Sequence, residues 1–561
     1  MEGFNIQRLT LILLALAVAR PAPPAEPPAS PIRFRNVAAS SGLDFVLDNY
    51  STPEKNMIEM MTGGVVTFDY DGDGNSDVYF VNGSVIPSME KESPKFYNRL
   101  YHNKGGFQFE DVTEQAGVKG AGYSMGAAAA DYDNDGDTDL FVAGVHRNTL
   151  YRNNGDGTFT DVTTAAGIKS DLWSVAAGWF DYDNDGNLDL FVANYAEWTP
   201  SYDRFCGDAV RKIRVYCHPK YFKPLPNQLY HGRGDGTFED VSESSGIAEF
   251  RGRAMGIAIA DYDNDGLSDV FITNDNLPNF LFHNLGGGAF EEVGLLAGVA
   301  LLDNGKPIAS MGTDFRDFDN DGLPDIQVVA LTGETFPLFK NFGDGMFQDM
   351  TYMTHMGPES TNSAGWGPAY VDLDNDGWKD LFVTGSHVND IVELFEATTY
   401  KQPNHVFANN HDGTFRNVSK QAFGDDAKAQ AHRGSAFADF NHDGKLDVVV
   451  SVIGEPAELW ENTSETGNSW LILKLIGVKS NRDGIGAKVR IGDQYNHMTT
   501  AFSYSSSTDI GVHFGLGKVK VAPEIEIRWP SGIKQVLRDV ELNRVLEVRE
   551  SGDPEVSLKA R

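Results

Sequence analysis

The sequence predicts an all-β fold, a seven-bladed β-propeller followed by a small β-rich C-terminal domain. Three observations point there. A nine-residue pattern, D-x-[DN]-x-D-G-x-x-D, recurs seven times between residues 69 and 447. A second pattern, a glycine-rich turn followed by a Phe-containing strand, alternates with it. The length of 561 residues also exceeds what one hydrophobic core serves, so the chain needs repeats or several domains.

Taken in chain order, residues 1–19 read as a signal peptide. Arg8 precedes an apolar run from Leu9 to Ala19, shorter than the ~20 residues that span a bilayer, and Ala17-Val18-Ala19 is a small-x-small cleavage site. No later segment is apolar for long enough to cross a membrane. The expected location is therefore secreted, extracellular or periplasmic. Residues 20–31, with six prolines, form an extended lead-in.

The propeller is assigned to residues 32–466. Its seven loops place acidic or amide side chains at positions 1, 3, 5 and 9. These are Asp69, Asp71, Asp73 and Asp77; Asp131, Asp133, Asp135 and Asp139; Asp181, Asp183, Asp185 and Asp189; Asp261, Asp263, Asp265 and Asp269; Asp317, Asp319, Asp321 and Asp325; Asp372, Asp374, Asp376 and Asp380; and Asp439, Asn441, Asp443 and Asp447. Four oxygen donors, a backbone carbonyl near position 7 and a turn-permitting glycine at position 6 are what a hard cation of Ca²⁺ size needs. Mg²⁺ fits less well, because it keeps its waters in a tighter octahedron. Up to seven Ca²⁺ would bring the net charge of −34 to −20, relieving repulsion among the carboxylates. Asn441 removes one charge from the seventh loop, which is expected to bind least tightly.

An EF-hand begins similarly but needs a bidentate Glu at position 12 and flanking helices. Here position 12 is Phe80, Val142, Val192, Ile272, Val328, Val383 or Val450, and β-branched or aromatic residues follow. The loops are thus read as strand-loop-strand sites. They recur at a mean spacing of roughly 62 residues, enough for a four-stranded blade. Relatives of the second pattern stand at Phe109, Phe159, Phe238, Phe290, Phe347 and Phe415, and the seventh is Phe34, ahead of the first loop. A closed ring requires this displacement, with the N-terminal strand completing the last blade. Small residues before the loops, as in 125–130 and 433–436, suit strands crowded around a narrow axis, with ordinary core packing as the preferred reading.

An excess of 80 acids over 46 bases argues against a nucleic-acid partner. Against this background the insertion at 195–226 stands out. It holds six Lys or Arg and three acids, together with both cysteines of the chain, Cys206 and Cys217. In an oxidising compartment the two are expected to pair, with free thiols as the alternative. Arg211, Lys212 and Arg214, with Trp198 nearby, form a candidate contact for an anionic glycan or acidic protein, the alternative being a solvated loop. Arg233-Gly234-Asp235 belongs to a recurring turn. N-glycosylation sequons stand at Asn49, Asn82, Asn417 and Asn462.

Residues 467–550 read as strands without a loop of this type and are expected to form a separate domain, with 551–561 as a tail. Within this part, residues 480–489, 513–517 and 528–532 resemble the signature of the ASPIC/UnbV domain. The repeats resemble FG-GAP/VCBS repeats of the integrin α-subunit type. Cys206-Gly207, Cys217, Pro219, Pro226 and Leu229-Tyr230 resemble the middle insertion of the same family, and the animal cartilage acidic proteins share the plan. This chain departs from them in lacking a Cys-rich growth-factor-like module. The resemblance implies calcium binding, secretion and an interaction function such as adhesion, with no established catalytic residues. It also implies loops on one face and a variable opposite face including 146–148, 194–198 and 274–276. The alternative is a calcium-dependent polysaccharide lyase or dehydratase acting on anionic glycans. That activity needs a base and a uronate-neutralising group, for which His146, His387, Arg433 and Tyr400 are the candidates.

Overall fold

The computed structural model describes residues 29–169 and 171–552 and the backbone of 555–557. The expected signal peptide and most of the proline-rich lead-in lie outside the described residues.

Seven blades of four antiparallel strands follow one another along the chain, the first being part of a six-stranded sheet. Their innermost strands are Val65–Phe68, Tyr123–Ala130, Ser174–Phe180, Ala254–Ala260, Thr313–Arg316, Gly365–Val371 and His432–Ala438. Each touches the next, and the last returns to the first, closing a propeller. The ring is sealed by Phe34–Asn36, which pairs with Glu458–Asn462 as the outermost strand of the seventh sheet.

The two sequence patterns meet in the packing between sheets. In six of the seven sheets the Phe of the outermost strand lies against the aromatic second residue of the preceding sheet's loop. Phe159 packs on Tyr70, Phe238 on Tyr132, Phe290 on Tyr182, Phe347 on Tyr262, Phe415 on Phe318 and Phe109 on Phe440, with ring centroids 5.4–6.3 Å apart. Burying these aromatic pairs joins neighbouring sheets along the rim of the loop face, each ring contributing on the order of 2 kcal/mol of transfer free energy.

The C-terminal part forms a three-stranded sheet around Trp470–Ile476 and a five-stranded sheet from Gln494–His497 to Glu555–Ser557. The last of these strands lies in the stretch that the sequence assigned to the tail, and it pairs in parallel with Lys534–Arg538. These sheets are connected to the propeller by one excursion of their chain. A hairpin, Ala501–Phe502 with Ser506–Thr508, leaves these sheets and enters the propeller axis. It pairs in parallel with Val65–Phe68 and touches the innermost strands of all seven sheets. At its tip Tyr504 donates to the Met61 carbonyl at 2.6 Å and meets the Trp366 ring edge-on at 4.7 Å. The small residues of the inner strands therefore make room for this plug. A Cβ on Gly64 would lie 2.1 Å from the Ser505 carbonyl oxygen, and one on Gly434 would lie 2.2 Å from Ser506 Oγ.

Candidate metal centres

Each D-x-[DN]-x-D-G-x-x-D segment connects the first and second strands of its sheet, and the same hydrogen bonds hold it in all seven copies. The position 6 glycine donates its N–H to Oδ2 of position 1, at 2.7–3.0 Å. The position 9 carboxylate accepts from the N–H of position 2 at 2.9–3.3 Å. Its other oxygen accepts a backbone N–H from the third strand at 2.7–3.0 Å. Both ends of the loop are thereby pinned, and the carboxylates at 1, 3, 5 and 9 converge. In the second loop Asp131, Asp133 and Asp139 bring carboxylate oxygens within 4.8 Å of one another, and in the first and third loops His102 and His231 join such groups.

The donor set fits a divalent hard cation. One carboxylate oxygen each of Asp133, Asp261, Asp317, Asp319 and Asp374 is buried without a hydrogen-bond partner among the described residues. A buried anion left this way is costly, and a cation at the centre of the loop would satisfy it. Burial also pushes the carboxyls up: Asp77 and Asp139 to about 9, Asp131, Asp181, Asp269 and Asp374 to about 7, and Asp189 and Asp317 to about 6. Asp325, Asp372, Asp380 and Asp447 are raised for the same reason. Without a counter-cation these groups favour the neutral form; with one they ionise and ligate.

Position 4 of the loop has a role that the sequence reading did not assign. Its amide reaches the glycine carbonyl of the next loop, from Asn134 to Gly186, Asn184 to Gly266, Asn320 to Gly377 and Asn375 to Gly444, at 2.9–3.1 Å. Asn264 makes the same link to Gly322 at 3.5 Å, and His442 links the seventh loop to Asn75 of the first at 2.9 Å; position 4 of the first loop is Gly72, so the junction with the second loop has no such link. The recurrence of Asn in DNDG was the available signal.

The C-terminal sheets lie on this loop face. Asp483 accepts the N–H of Asp131 at 2.8 Å, and Asn134 accepts the N–H of Arg482 at 2.8 Å. Lys488 pairs with Asp261 at 2.5 Å, Lys379 donates to the Tyr495 carbonyl at 2.9 Å, and Asn468 donates to the Asp374 carbonyl at 2.9 Å. The loops thus have two sets of neighbours, their own converging carboxylates and the C-terminal sheets above them.

Cys206 and Cys217 form a disulfide with Cα atoms 5.2 Å apart. Arg211 and Lys212 of the insertion are exposed and Arg214 is half-buried; Arg211 lies 3.5 Å from Asp208 and Arg214 lies 2.9 Å from Asp203. Lys212 turns the chain with φ of 55°. Trp198 does not share this surface and is a correction to the sequence reading. It is buried at 2% exposure, its ring 6.3 Å from that of Trp173. Of the four candidate catalytic groups, His146 is exposed and Tyr400 half-buried, while His387 and Arg433 are inside. His387 is 5% and Arg433 0% exposed, and Arg433 donates to the Met60 and His432 carbonyls and stacks on Trp366 at 3.9 Å. Of the four sequon asparagines, Asn49, Asn82 and Asn462 are buried and Asn417 is exposed.

With this geometry in view, comparisons with known proteins are direct. The FG-GAP-like repeat family matches residues 69–142, 131–192, 223–272, 261–328, 317–383 and 389–450, and ASPIC and UnbV matches residues 477–555. The chain belongs to the FG-GAP-like repeat family, with an ASPIC and UnbV domain at its C-terminal end. This FG-GAP chain is similar to cartilage acidic protein 1 of Homo sapiens, 27% identical over 333 residues, covering 56% of this chain and 47% of that protein. The Mus musculus protein is 26% identical over 333 residues, covering 56% of this chain and 48% of that protein. The chain spans about half the length of these relatives. Among solved structures, an Agrocybe aegerita lectin that recognises non-reducing terminal N-acetylglucosamine aligns with a TM-score of 0.36 at 16% identity, over 64% of this chain and 81% of that one. YCF48 bound to D1 peptide aligns with a TM-score of 0.42 at 7% identity, over 79% of this chain and all (100%) of that one. No helix among the described residues is long and apolar enough to cross a membrane.

Proposed function

We propose that this FG-GAP propeller is a secreted, non-enzymatic calcium-binding scaffold whose variable face recognises an extracellular protein or glycan. The observation that carries the reading is the repeated carboxylate cage, pinned by the same backbone hydrogen bonds in seven loops and containing buried oxygens that lack partners. Ca²⁺ would be held by the side chains at positions 1, 3, 5 and 9, and it would supply charge neutralisation and rigidity. The disulfide supports an oxidising compartment. The burial of His387 and Arg433 favours binding over proton abstraction from a uronate.

Elemental analysis of the purified chain before and after chelation tests the metal. Several Ca²⁺ per chain, lost on chelation with a fall in melting temperature, is the expected result; near-zero metal and a chelator-insensitive melt would overturn it. For the recognition face, retention on a panel of anionic and neutral polysaccharides is compared between the wild type and the R211S/K212S/R214S variant. Equal retention removes the insertion from the contact.

A further inference from the structure

The outer edge of each blade carries two turns, the hairpin that leads into the outermost strand and the tight turn that follows it. In the first, second, third and sixth blades the following turn presents Glu114-Gln115, Thr164-Ala165, Glu243-Ser244 and Lys420-Gln421 to solvent. The fourth blade has Leu295-Leu296 at these positions and the fifth has Tyr352-Met353, each residue 70–74% exposed. The fifth hairpin adds Phe342, where those four blades have Lys104, Asn154, Arg233 and Asn410, and Met346, where they have Gln or Thr. Both are more than half exposed. Four blades build the same turns without large apolar side chains, so packing of the propeller does not require them here.

The six side chains lie along one rim. A Cβ on Gly298, two residues after Leu296, would stand 2.7 Å from the Phe347 carbonyl oxygen, beside Met346. Phe342 donates its N–H to the Met346 carbonyl at 2.9 Å. Tyr352 and Met353 follow at the far end of the three-residue strand Phe347–Asp349. Together they expose on the order of 800 Å², more than the ~300–600 Å² of the largest apolar patch on a typical monomer. It matches the roughly 800 Å² that each partner brings to a stable interface of standard size.

The chemistry of the patch selects its occupant. Leu, Met and Phe side chains offer a glycan no hydrogen bonds, and a net charge of −34 repels an anionic membrane. Among the described residues the other exposed large apolar side chains stand singly or in pairs along the chain, such as Leu394-Phe395. The matching surface on another copy is therefore this same patch. We propose that the rim of the fourth and fifth blades is the contact of an isologous dimer, in which a second copy of this chain covers the patch through a two-fold axis.

Sedimentation velocity of the full calcium-loaded chain, at up to about 100 µM, tests this. The wild type is expected to form a dimer and nothing larger. The dimer should tighten between about 50 mM and about 500 mM salt, because screening relieves repulsion between two acidic copies across an apolar contact. L296E/M353E alters exposed positions only; it should keep the wild-type melting temperature and weaken the dimer by more than about a hundredfold, since each copy then buries unpaired charge. A wild type that stays monomeric, including one that binds zwitterionic vesicles as a monomer, overturns the inference. So does a dimer that weakens with salt, one undiminished in L296E/M353E, or growth into larger species. None of these outcomes touches the calcium scaffold, which rests on the loops.

Discussion

The two faces of the propeller are built on opposite principles. On the loop face one arrangement is repeated seven times, stitched at six of the seven junctions by the position 4 side chains and covered by the C-terminal sheets. On the other face each connection has its own solution: a disulfide-closed insertion, the Lys55–Asp390 pair at 2.5 Å, and Tyr195 donating to Asp275 at 2.6 Å. Repetition marks the part that must close a ring and neutralise charge. Variation marks the part free to acquire a partner.

The largest test of this contrast is metal removal. Each site filled at a hundred times its Kd stabilises the fold by about 2.7 kcal/mol. Chelation should therefore lower the melting temperature substantially and loosen the C-terminal sheets together with the loops. Hydrogen exchange in 470–550 should rise with that in the loops, while amides of the inner strands stay protected longest.

The pH dependence should reverse between the two metal states. In the metal-free protein Asp77 and Asp139 have carboxyls raised to about 9, against about 3.9 unfolded. The folded state then holds more protons than the unfolded state between these values, so stability falls as pH rises through that window. In the loaded protein the ligands are ionised, and stability falls instead as acid displaces the metal. Denaturant midpoints measured for both forms across this range check the sign; parallel slopes would count against metal binding.

Gly434→Val probes the axis. Its side chain meets Ser506 Oγ and the carbonyls of Gly63 and Tyr504, and such overpacking typically costs about 1–3 kcal/mol. The expected phenotype is a lower melting temperature with increased protease access to 499–510. An unchanged melt would mean that the hairpin does not fill the axis.

The smallest global effect is expected from opening the disulfide. Cys206→Ser with Cys217→Ser removes a restraint worth about 3 kcal/mol in the chain-entropy estimate, but it acts within an exposed insertion. Cleavage between 203 and 217 should accelerate while the main unfolding transition stays in place, since local opening is separate from unfolding of the ring.

Much of the loop face was legible beforehand. The aspartates of the repeat, its position 6 glycine and the displaced Phe34 have local or periodic signatures that survive in a single sequence. Trp198 was misread because an aromatic in a variable connection looks like a surface anchor until Trp173 is seen beside it. The small residues at 125–130 were read foremost as ordinary core packing, whereas Gly126 makes room for Ser505, far along the chain. The nitrogens of His102, His231 and His283 went unassigned because they come from strands well separated in sequence from the positions 3 and 9 that they meet.

By itself the sequence determined the repeat: local turn chemistry, strand periodicity and carboxylate spacing act over short separations and need no knowledge of the rest of the fold. The tertiary structure alone decided what lies against the repeat, namely the C-terminal sheets on the loop face, the hairpin in the axis and the side chains opposite each loop. Those contacts join residues hundreds of positions apart, where hydrogen-bond geometry and packing volume, rather than local propensity, select the partners.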